Sequence, residues 1–523
     1  MRPRLRQRPV AYYDVDVHAG RAFAAAGLSG ALLALSFPTF GHPASAWVAC
    51  IPLLVALHDR PSVRRAFGLG LTTGVLYFAG TLPWLTQVMV AFGGIPRPVG
   101  VLLNGMLVAY LALFPAAFAV MVVVLCRRFG SLGLLGAAPL WLTTELGRLW
   151  ILGGFPWELV GYSQTSVLPV AQLASLVGVH GITLLVIFVN SALAVALVGP
   201  SRYRWRVLVT VGVLLAAVVG FGQARLSDNR LVSEGDPLRV ALVQGNIPQD
   251  QKWDGDRETQ ILNRYLDLSR QGAAAGAELV VWPESSTPFS FEGHPSGEEI
   301  RQLARDTGVH LVFGSTQMRV DPEVQLFNAA FALTPDGETA AVYHKMHLVP
   351  FGEYVPFRSL LSFVGPLVEA VGPFSPGLRA STIPVGSHQV SAAICYEVIY
   401  PGLIREFVRN GSELLTAITN DAWYERSAAP HQHFQQAAMR AIEHGRYLVR
   451  AANTGISGVV DPYGRVVRQS ELFETTVVTE NVRLIKELTF YTQVGDLPAY
   501  LCLVLTAVAM LVAWRPKVGR SAS

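Results

Sequence analysis

The chain has 523 residues, with 41 Lys and Arg against 37 Asp and Glu, giving a net charge of +4 at pH 7. Hydrophobic residues make up 51% and charged residues only 15%, against about 25% in a soluble globular protein, and mean hydropathy is +0.38. A single soluble domain is excluded by length and hydropathy, and a nucleic-acid surface by the lack of any basic stripe away from apolar segments.

Eight apolar segments are predicted as membrane helices, at 20–37, 44–58, 65–90, 98–126, 131–149, 167–199, 205–222 and 498–514. About 20 apolar residues cross a bilayer; the second segment is short enough to lie at the interface. Ala44, Ser45 and Ala46 mimic a leader cleavage site, but the immediate succession of further spans argues against a cleaved leader. Basic clusters recur in every second loop: Arg2, Arg4, Arg6 and Arg8; Arg60, Arg64 and Arg65; Arg127 and Arg128; Arg202, Arg204 and Arg206; Arg515, Lys517 and Arg520. The alternate loops are nearly free of Lys and Arg, with Arg97 and Arg148 the main exceptions. The positive-inside rule then puts both termini in the cytoplasm and the long segment after the seventh span outside. The expected organisation is a membrane domain at 1–222, a water-facing domain at 223–487, periplasmic in a bacterium, and a last span with its tail at 488–523.

From about Leu238 to Ile485, β-rich runs alternate with helical ones. The runs are Arg239–Val243, Leu279–Trp282, His310–Phe313, Ala329–Leu333, Val390–Ile394 and Leu414–Thr419; the helical stretches are Glu258–Arg270, Glu298–Asp306 and Gln435–His444. This alternation predicts a layered α/β fold, with Asp461-Pro462-Tyr463-Gly464 as a turn between strands. Between Lys345 and Cys395 lies an apolar stretch containing Phe351, Phe357, Leu360, Leu361, Phe363, Val364, Leu367, Val368 and Phe374. It either packs on the domain's own core or lies on the bilayer surface near the site.

The chain has four cysteines, too few for a disulfide framework. Cys50, Cys126 and Cys502 lie in apolar stretches, whereas Cys395 lies between an apolar strand and a helical run. Such a turn exposes a nucleophile near a helix N-terminus, where a thiolate is favoured. A lone strand-end cysteine is more often structural, so its companions decide. Glu284 ends the run Leu279–Trp282, and partial desolvation beside Trp282 and Pro283 is expected to raise its pKa toward that of a useful base. Lys345 follows Ala340–Tyr343, where an ammonium can stabilise a tetrahedral oxyanion. Together the three residues supply base, stabiliser and nucleophile.

Trp282-Pro283-Glu284, Tyr343-His344-Lys345 with Phe351-Gly352-Glu353-Tyr354, and Cys395-Tyr396-Glu397 resemble the three signatures of the nitrilase superfamily. That resemblance implies a Glu-Lys-Cys triad in an αββα sandwich. The membrane flanks narrow it to the bacterial apolipoprotein N-acyltransferases. Further segments extend the similarity over nearly the whole chain: Phe92-Gly93-Gly94, Gly154-Phe155-Pro156-Trp157, Gly161-Tyr162-Ser163-Gln164, Gln244-Gly245-Asn246-Ile247, Asn420-Asp421-Ala422-Trp423-Tyr424 and Asn453-Thr454-Gly455-Ile456-Ser457. The implied fold class is a multi-span α-helical membrane domain plus an α/β nitrilase-like sandwich. The implied roles are base for Glu284, stabiliser of tetrahedral intermediates for Lys345 and nucleophile for Cys395. Glu353, Tyr396, Glu397, Trp253, Asn328 and Trp423 are expected as supports or substrate contacts. Glu158 departs from the pattern and is expected to reach water from a span end.

The resemblance implies acyl transfer from a membrane phospholipid, through a Cys395 thioester, to the α-amino group of a diacylglyceryl-apolipoprotein, in a monomer of the bacterial inner membrane. No cofactor, metal or nucleic acid is expected. His431 and His433 lack further ligands at metal spacing, and a Cys-His mechanism through His344 or His347 fits the motifs less well. A membrane-anchored amidase shares the triad but has no need of eight spans. A transporter would carry charges inside its spans, whereas the ionisable residues here gather near span ends.

Overall fold

The computed structural model describes residues 12–39, 41–320, 323–354 and 374–515. Most of the apolar stretch after Lys345, the N-terminal arginines, and Lys517 and Arg520 lie outside them.

Each predicted span is helical, but the helices divide differently. Residues 65–90 form two helices, Val63–Thr81 and Trp84–Ala91, bent by 53°. Pro83 lies at the break, where a missing N–H and a fixed φ interrupt the ladder. The segments at 98–126 and 131–149 run as one 57-residue stretch, Arg97–Gly153, through the 3₁₀ turn Gly130–Gly136. With Ala174–Val198, Ser201–Val232 and Leu497–Trp514, four helical stretches among the described residues are long and apolar enough to cross a membrane, or five counting the bent pair. Ala19–Ala34 and Pro43–His58 are shorter apolar helices. Close packing depends on small residues: a Cβ on Gly70 would lie 2.3 Å from the Pro115 carbonyl oxygen.

Among the described residues thirteen strands follow. They are β1 Asp236–Gln244, β2 Leu279–Val281, β3 His310–Val320, β4 Val324–Leu333, β5 Thr339–His344, β6 Ile383–Val385, β7 His388–Val390, β8 Ala393–Ile394, β9 Leu415–Thr419, β10 Leu448–Ala452, β11 Gly458–Val460, β12 Val466–Gln469 and β13 Thr476–Leu484. One sheet has the order β13-β1-β2-β3-β4-β5, the second β12-β11-β10-β9-β8, and β6 with β7 forms a small ribbon. Strands β1, β2 and β3 are parallel neighbours, as are β8, β9 and β10.

The period-two alternation of strands divides the core. Ala241, Val243 and Val280 face the helices Glu258–Ala274 and Gly297–Thr307 through Leu262, Tyr265, Ile300 and Leu303. Val240, Leu242, Leu279 and Val281 face the second sheet, whose far side is covered by Pro401–Arg409 and Ala429–His444. The layers are therefore helix, sheet, sheet, helix. The turn at Asp461–Gly464 joins β11 to β12, with the Asp461 carboxylate accepting the Tyr463 and Arg465 N–H groups.

Candidate active site

Three strand ends converge. Glu284 follows β2, Lys345 follows β5 and Cys395 follows β8. Lys345 is 1% exposed, and its Nζ donates to Glu284 Oε1 at 3.2 Å and to Glu353 Oε1 at 3.0 Å. Asn328, on β4, donates from Nδ2 to the same two oxygens at 2.8 and 2.7 Å. The Asn420 N–H reaches Glu284 Oε2 at 3.0 Å, and the Val349 N–H reaches Glu353 Oε2 at 2.7 Å. Every partner of these two buried carboxylates is a donor, so both carry their charge.

Burial alone would raise the Glu284 carboxyl, but Lys345, the Asn328 hydrogen bond and Lys252 hold it below its ordinary range. The expectation of a raised pKa is thereby corrected: Trp282 turns away, stacking on Tyr265 and donating to Ser269, and cations surround Glu284 instead. Burial would likewise lower Lys345, but Glu284 and Glu353 hold its ammonium above the ordinary lysine range. Burial raises the Cys395 thiol, with Glu284 adding to the effect and Lys345 opposing it. The expected thiolate is a second correction. The turn after β8 is only the short 3₁₀ segment Cys395–Ile399, and burial outweighs its dipole. At rest the site holds a carboxylate, an ammonium and a neutral thiol.

Cys395 has φ of +52°, a left-handed conformation that a non-glycine residue adopts only when its surroundings impose it. Two networks impose it. Glu397 accepts the Ile394 N–H at one oxygen, and at the other the Tyr343 hydroxyl and the Met346 and His347 N–H groups. It thus ties the turn carrying Cys395 to the segment carrying Lys345. Burial pushes its carboxyl up to about 7, and these donors hold it below what burial alone would give. The second network runs from Arg450 through Asp421 to His433, whose Nε2 meets the Cys395 carbonyl oxygen at 3.1 Å.

The membrane helices supply one wall. Tyr396 stacks on Phe155 with ring centroids 6.4 Å apart, and the Tyr400 hydroxyl donates to the Gly154 carbonyl. Trp423 meets Phe92 edge-on at 5.2 Å, and Tyr424 meets Trp84 at 5.0 Å. The turn carrying Cys395 is thus flanked by aromatic rings from the apolar helical part of the chain.

Among the predicted residues, Glu397 and Tyr396 lie on the turn of Cys395, Trp423 is placed by its contact with Phe92, and Asn328 and Glu353 bond to the triad. Trp253 does not: it is 54% exposed and makes no hydrogen bond to the triad among the described residues. Its neighbour Lys252 does, donating from Nζ to the Glu284 carbonyl oxygen at 3.1 Å. Glu158 does not reach water; it is fully buried, with Oε1 3.4 Å from the Gln436 amide. His344 lies against Phe327 and Gln317, and His347 stacks on Tyr400, so neither contacts the thiol. Among the described residues, no group of three or more His, Cys, Asp or Glu is arranged to hold a metal ion.

A family model described as carbon-nitrogen hydrolase matches residues 239–486, and one described as the apolipoprotein N-acyltransferase N-terminal domain matches residues 29–192. The apolipoprotein N-acyltransferase of Geobacter metallireducens is 41% identical over 96% of this chain and 97% of its own length. The chain belongs to the apolipoprotein N-acyltransferase family. It is an acyltransferase. The family enzyme of Photobacterium profundum is 34% identical, covering 94% of this chain and 95% of its own. Among solved structures, a mutant of the Nesterenkonia AN1 amidase from the nitrilase superfamily matches with a TM-score of 0.40 and 22% identity, over 53% of this chain and 99% of that one. For an acyltransferase of this family, sequence reasoning missed Lys252 and the position of His433. The only available signals were that Lys252 precedes the chosen Trp253 and that His433 lies two residues from His431.

Proposed function

We propose that this acyltransferase moves a fatty acyl group from a membrane phospholipid to the α-amino group of the N-terminal diacylglyceryl-cysteine of lipoproteins, in two half-reactions that share Cys395. The observation that carries the reading is the meeting of Glu284, Lys345 and Cys395 against a wall of Phe155, Trp84 and Phe92 from the membrane helices.

In the first half-reaction Glu284 takes the thiol proton as Sγ attacks the ester carbonyl carbon. Because the resting thiol is neutral and Glu284 is weakly basic, proton transfer is coupled to attack rather than completed beforehand. The oxyanion forms beside Lys345, whose ammonium neutralises it. The carbonyl–glycerol oxygen bond then breaks, Glu284 returns the proton to the leaving oxygen, and a lysophospholipid departs. In the second half-reaction the acceptor amine attacks the thioester and passes a proton to Glu284. The carbon–sulfur bond breaks and Sγ is reprotonated, leaving an amide. Glu353 and Asn328 hold Lys345 and Glu284, Tyr396 and Trp423 line the lipid side, and Glu397 holds the turn.

The basic clusters support residues 223–487 as a periplasmic domain between a membrane part at 1–222 and a last span within 488–523, with both termini cytoplasmic in the inner membrane. One chain supplies the entire triad, which supports a monomer. The test is the intact mass of protein incubated with phospholipid and no acceptor. A hydroxylamine-labile acyl adduct, absent in Cys395→Ala, is expected. A wild-type protein that gains no adduct, or a Cys395→Ala protein that still transfers acyl groups, overturns the reading.

A further inference from the structure

Lys252 is 2% exposed and has no carboxylate within salt-bridge distance among the described residues. Its one hydrogen bond, to the Glu284 carbonyl oxygen at 3.1 Å, leaves two N–H directions of an ammonium unassigned. Burying an unpaired ammonium is strongly unfavourable, so the fold tolerates it for a reason local to this site. Its loop is pinned from both sides. Gln249 accepts the Asn420 side-chain amide at 2.7 Å, and the Ile247 N–H donates to Asn453 at 2.9 Å. Asn420 is also the residue whose main-chain N–H holds Glu284.

The charges explain the position. Glu284 and Glu353 are two negative charges against the single positive charge of Lys345. Asp421, which also opposes ionisation of Cys395, is already neutralised by Arg450 at 2.7 Å. Glu397, on the turn itself, has its carboxyl pushed up to about 7 by burial and is held by four donors; Tyr424 packs edge-on against His433, whose Nδ1 lies 3.2 Å from Asp421. Without Lys252, the groups Glu284, Glu353 and Lys345 would carry one net negative charge before the thiol ionises. With it these four groups and Cys395 together sum to zero, both before ionisation and after the thiol proton has moved to Glu284.

We propose that Lys252 is a positioning residue of the acyl-transfer site, whose ammonium balances the second carboxylate, Glu353, so that Cys395 ionises within a neutral cluster. Lys345 is engaged by both carboxylates, and Lys252 supplies the charge that Lys345 cannot. Burial brings the Lys252 ammonium down to about 8, with Glu284 and Cys395 opposing that fall, so the balance is itself pH-dependent and fails as Lys252 loses its proton.

The inference rests on the reading of Cys395 as the nucleophile. Its test is the pH dependence of Cys395 alkylation by iodoacetamide in the full-length protein in phospholipid nanodiscs, located by peptide mass. Lys252→Met and Lys252→Gln should both slow alkylation about tenfold near pH 7, where wild type carries the Lys252 charge, and the difference should close above about pH 8, where wild type has lost it. Lys252→Arg should stay near wild type, and Lys252→Met combined with Glu353→Gln should move back toward it. Lys252→Gln retains a donor for the Glu284 carbonyl, so a wild-type rate near pH 7 in that variant overturns the charge role even if Lys252→Met is perturbed or fails to fold. The expected rate pattern in a protein that forms no acyl adduct would instead sink the nucleophile reading and leave the charge balance standing.

Discussion

His433 Nε2 lies 3.1 Å from the main-chain carbonyl oxygen of Cys395. A carbonyl only accepts, so Nε2 donates to it, while Nδ1 lies 3.2 Å from Asp421 Oδ1 and 3.0 Å from Arg450 Nη2, against that buried pair. The imidazole therefore clamps the main chain of Cys395, a residue held at positive φ. His433→Leu should leave the buried carbonyl unsatisfied and lower stability by about 1–3 kcal/mol. It should also relax the turn and slow acyl-adduct formation at least about tenfold, since about 1.4 kcal/mol of lost alignment suffices. His433→Gln, which can donate to the same oxygen, should recover part of the rate. Thermal unfolding and adduct formation followed by intact mass check both; an unaltered rate in His433→Leu would refute the clamp.

Gln432, one residue earlier on the same helix, joins the catalytic domain to the membrane helices. Its Oε1 accepts the indole N–H groups of Trp84 at 3.2 Å and Trp157 at 2.8 Å, and its Nε2 donates to the carbonyls of Pro38 and Thr81. Gln432→Leu strands two buried indole donors and should cost about 2–4 kcal/mol by their summed desolvation. Gln432→Glu keeps the acceptor and should cost less at a pH where it is ionised only in part. The unfolding midpoint in a lipid nanodisc distinguishes the two, and equal losses would mean that the indole bonds are not what matters.

The ends of β2, β5 and β8 were legible in the sequence because apolar strands stop abruptly at polar residues in quotable motifs. The helices expected at 258–270, 298–306 and 435–444 are present as Glu258–Ala274, Gly297–Thr307 and Ala429–His444, the last beginning six residues earlier than its pattern indicated. What was illegible came from contacts that no periodicity encodes. Lys252 lies in an irregular loop, and only the pinning of Gln249 and Ile247 turns it, rather than Trp253, toward Glu284. His433 was set aside together with His431 for want of metal-ligand spacing; residues two apart on a helix face different ways, and His433 is the one that meets Cys395. The Glu284 environment was misjudged because Trp282 packs on Tyr265 and Ser269, while Glu284, beyond the end of β2, meets Lys345, Asn328 and the Asn420 N–H. The span divisions shifted at Pro83, where apolar composition continues although the helix breaks, and at Gly130–Gly136, where a 3₁₀ turn bridges the expected break.

Glu158 tests the reading of buried polar groups that serve no acid-base step. Its side chain is buried with Oε2 lacking a partner, while its main-chain carbonyl accepts from Tyr77 and from Arg148 at 3.3 Å. The carboxylate's one contact is the Gln436 amide at 3.4 Å, and the main-chain carbonyl carries the others. Glu158→Gln keeps the size and the acceptor oxygen, so it should change stability by no more than about 1 kcal/mol, the net worth of one hydrogen bond, and leave acyl transfer intact. Loss of transfer in a folded Glu158→Gln protein would assign the carboxylate a role that these contacts do not suggest.

Asp421 and Arg450 form a fully buried pair at 2.7 Å, and the pH dependence of stability follows from it. Burial would raise the Asp421 carboxyl, but Arg450, then His433, hold it well below the usual carboxylate range. Its folded pKa is thus depressed relative to an unfolded value of about 3.9. The unfolded chain binds the proton first, so the pair's contribution is fully present above about pH 4 and is lost progressively as pH falls below that. Arg450→Met leaves an uncompensated buried carboxylate and should cost about 3–5 kcal/mol at neutral pH. The double variant Asp421→Asn, Arg450→Met removes both charges and should recover part of that loss. Asp421→Asn alone should flatten the acid limb of the stability profile below about pH 4. Denaturation midpoints measured from neutral to acid pH decide the matter: an acid limb in Asp421→Asn as steep as in wild type would show that the pair is not what the acid titrates.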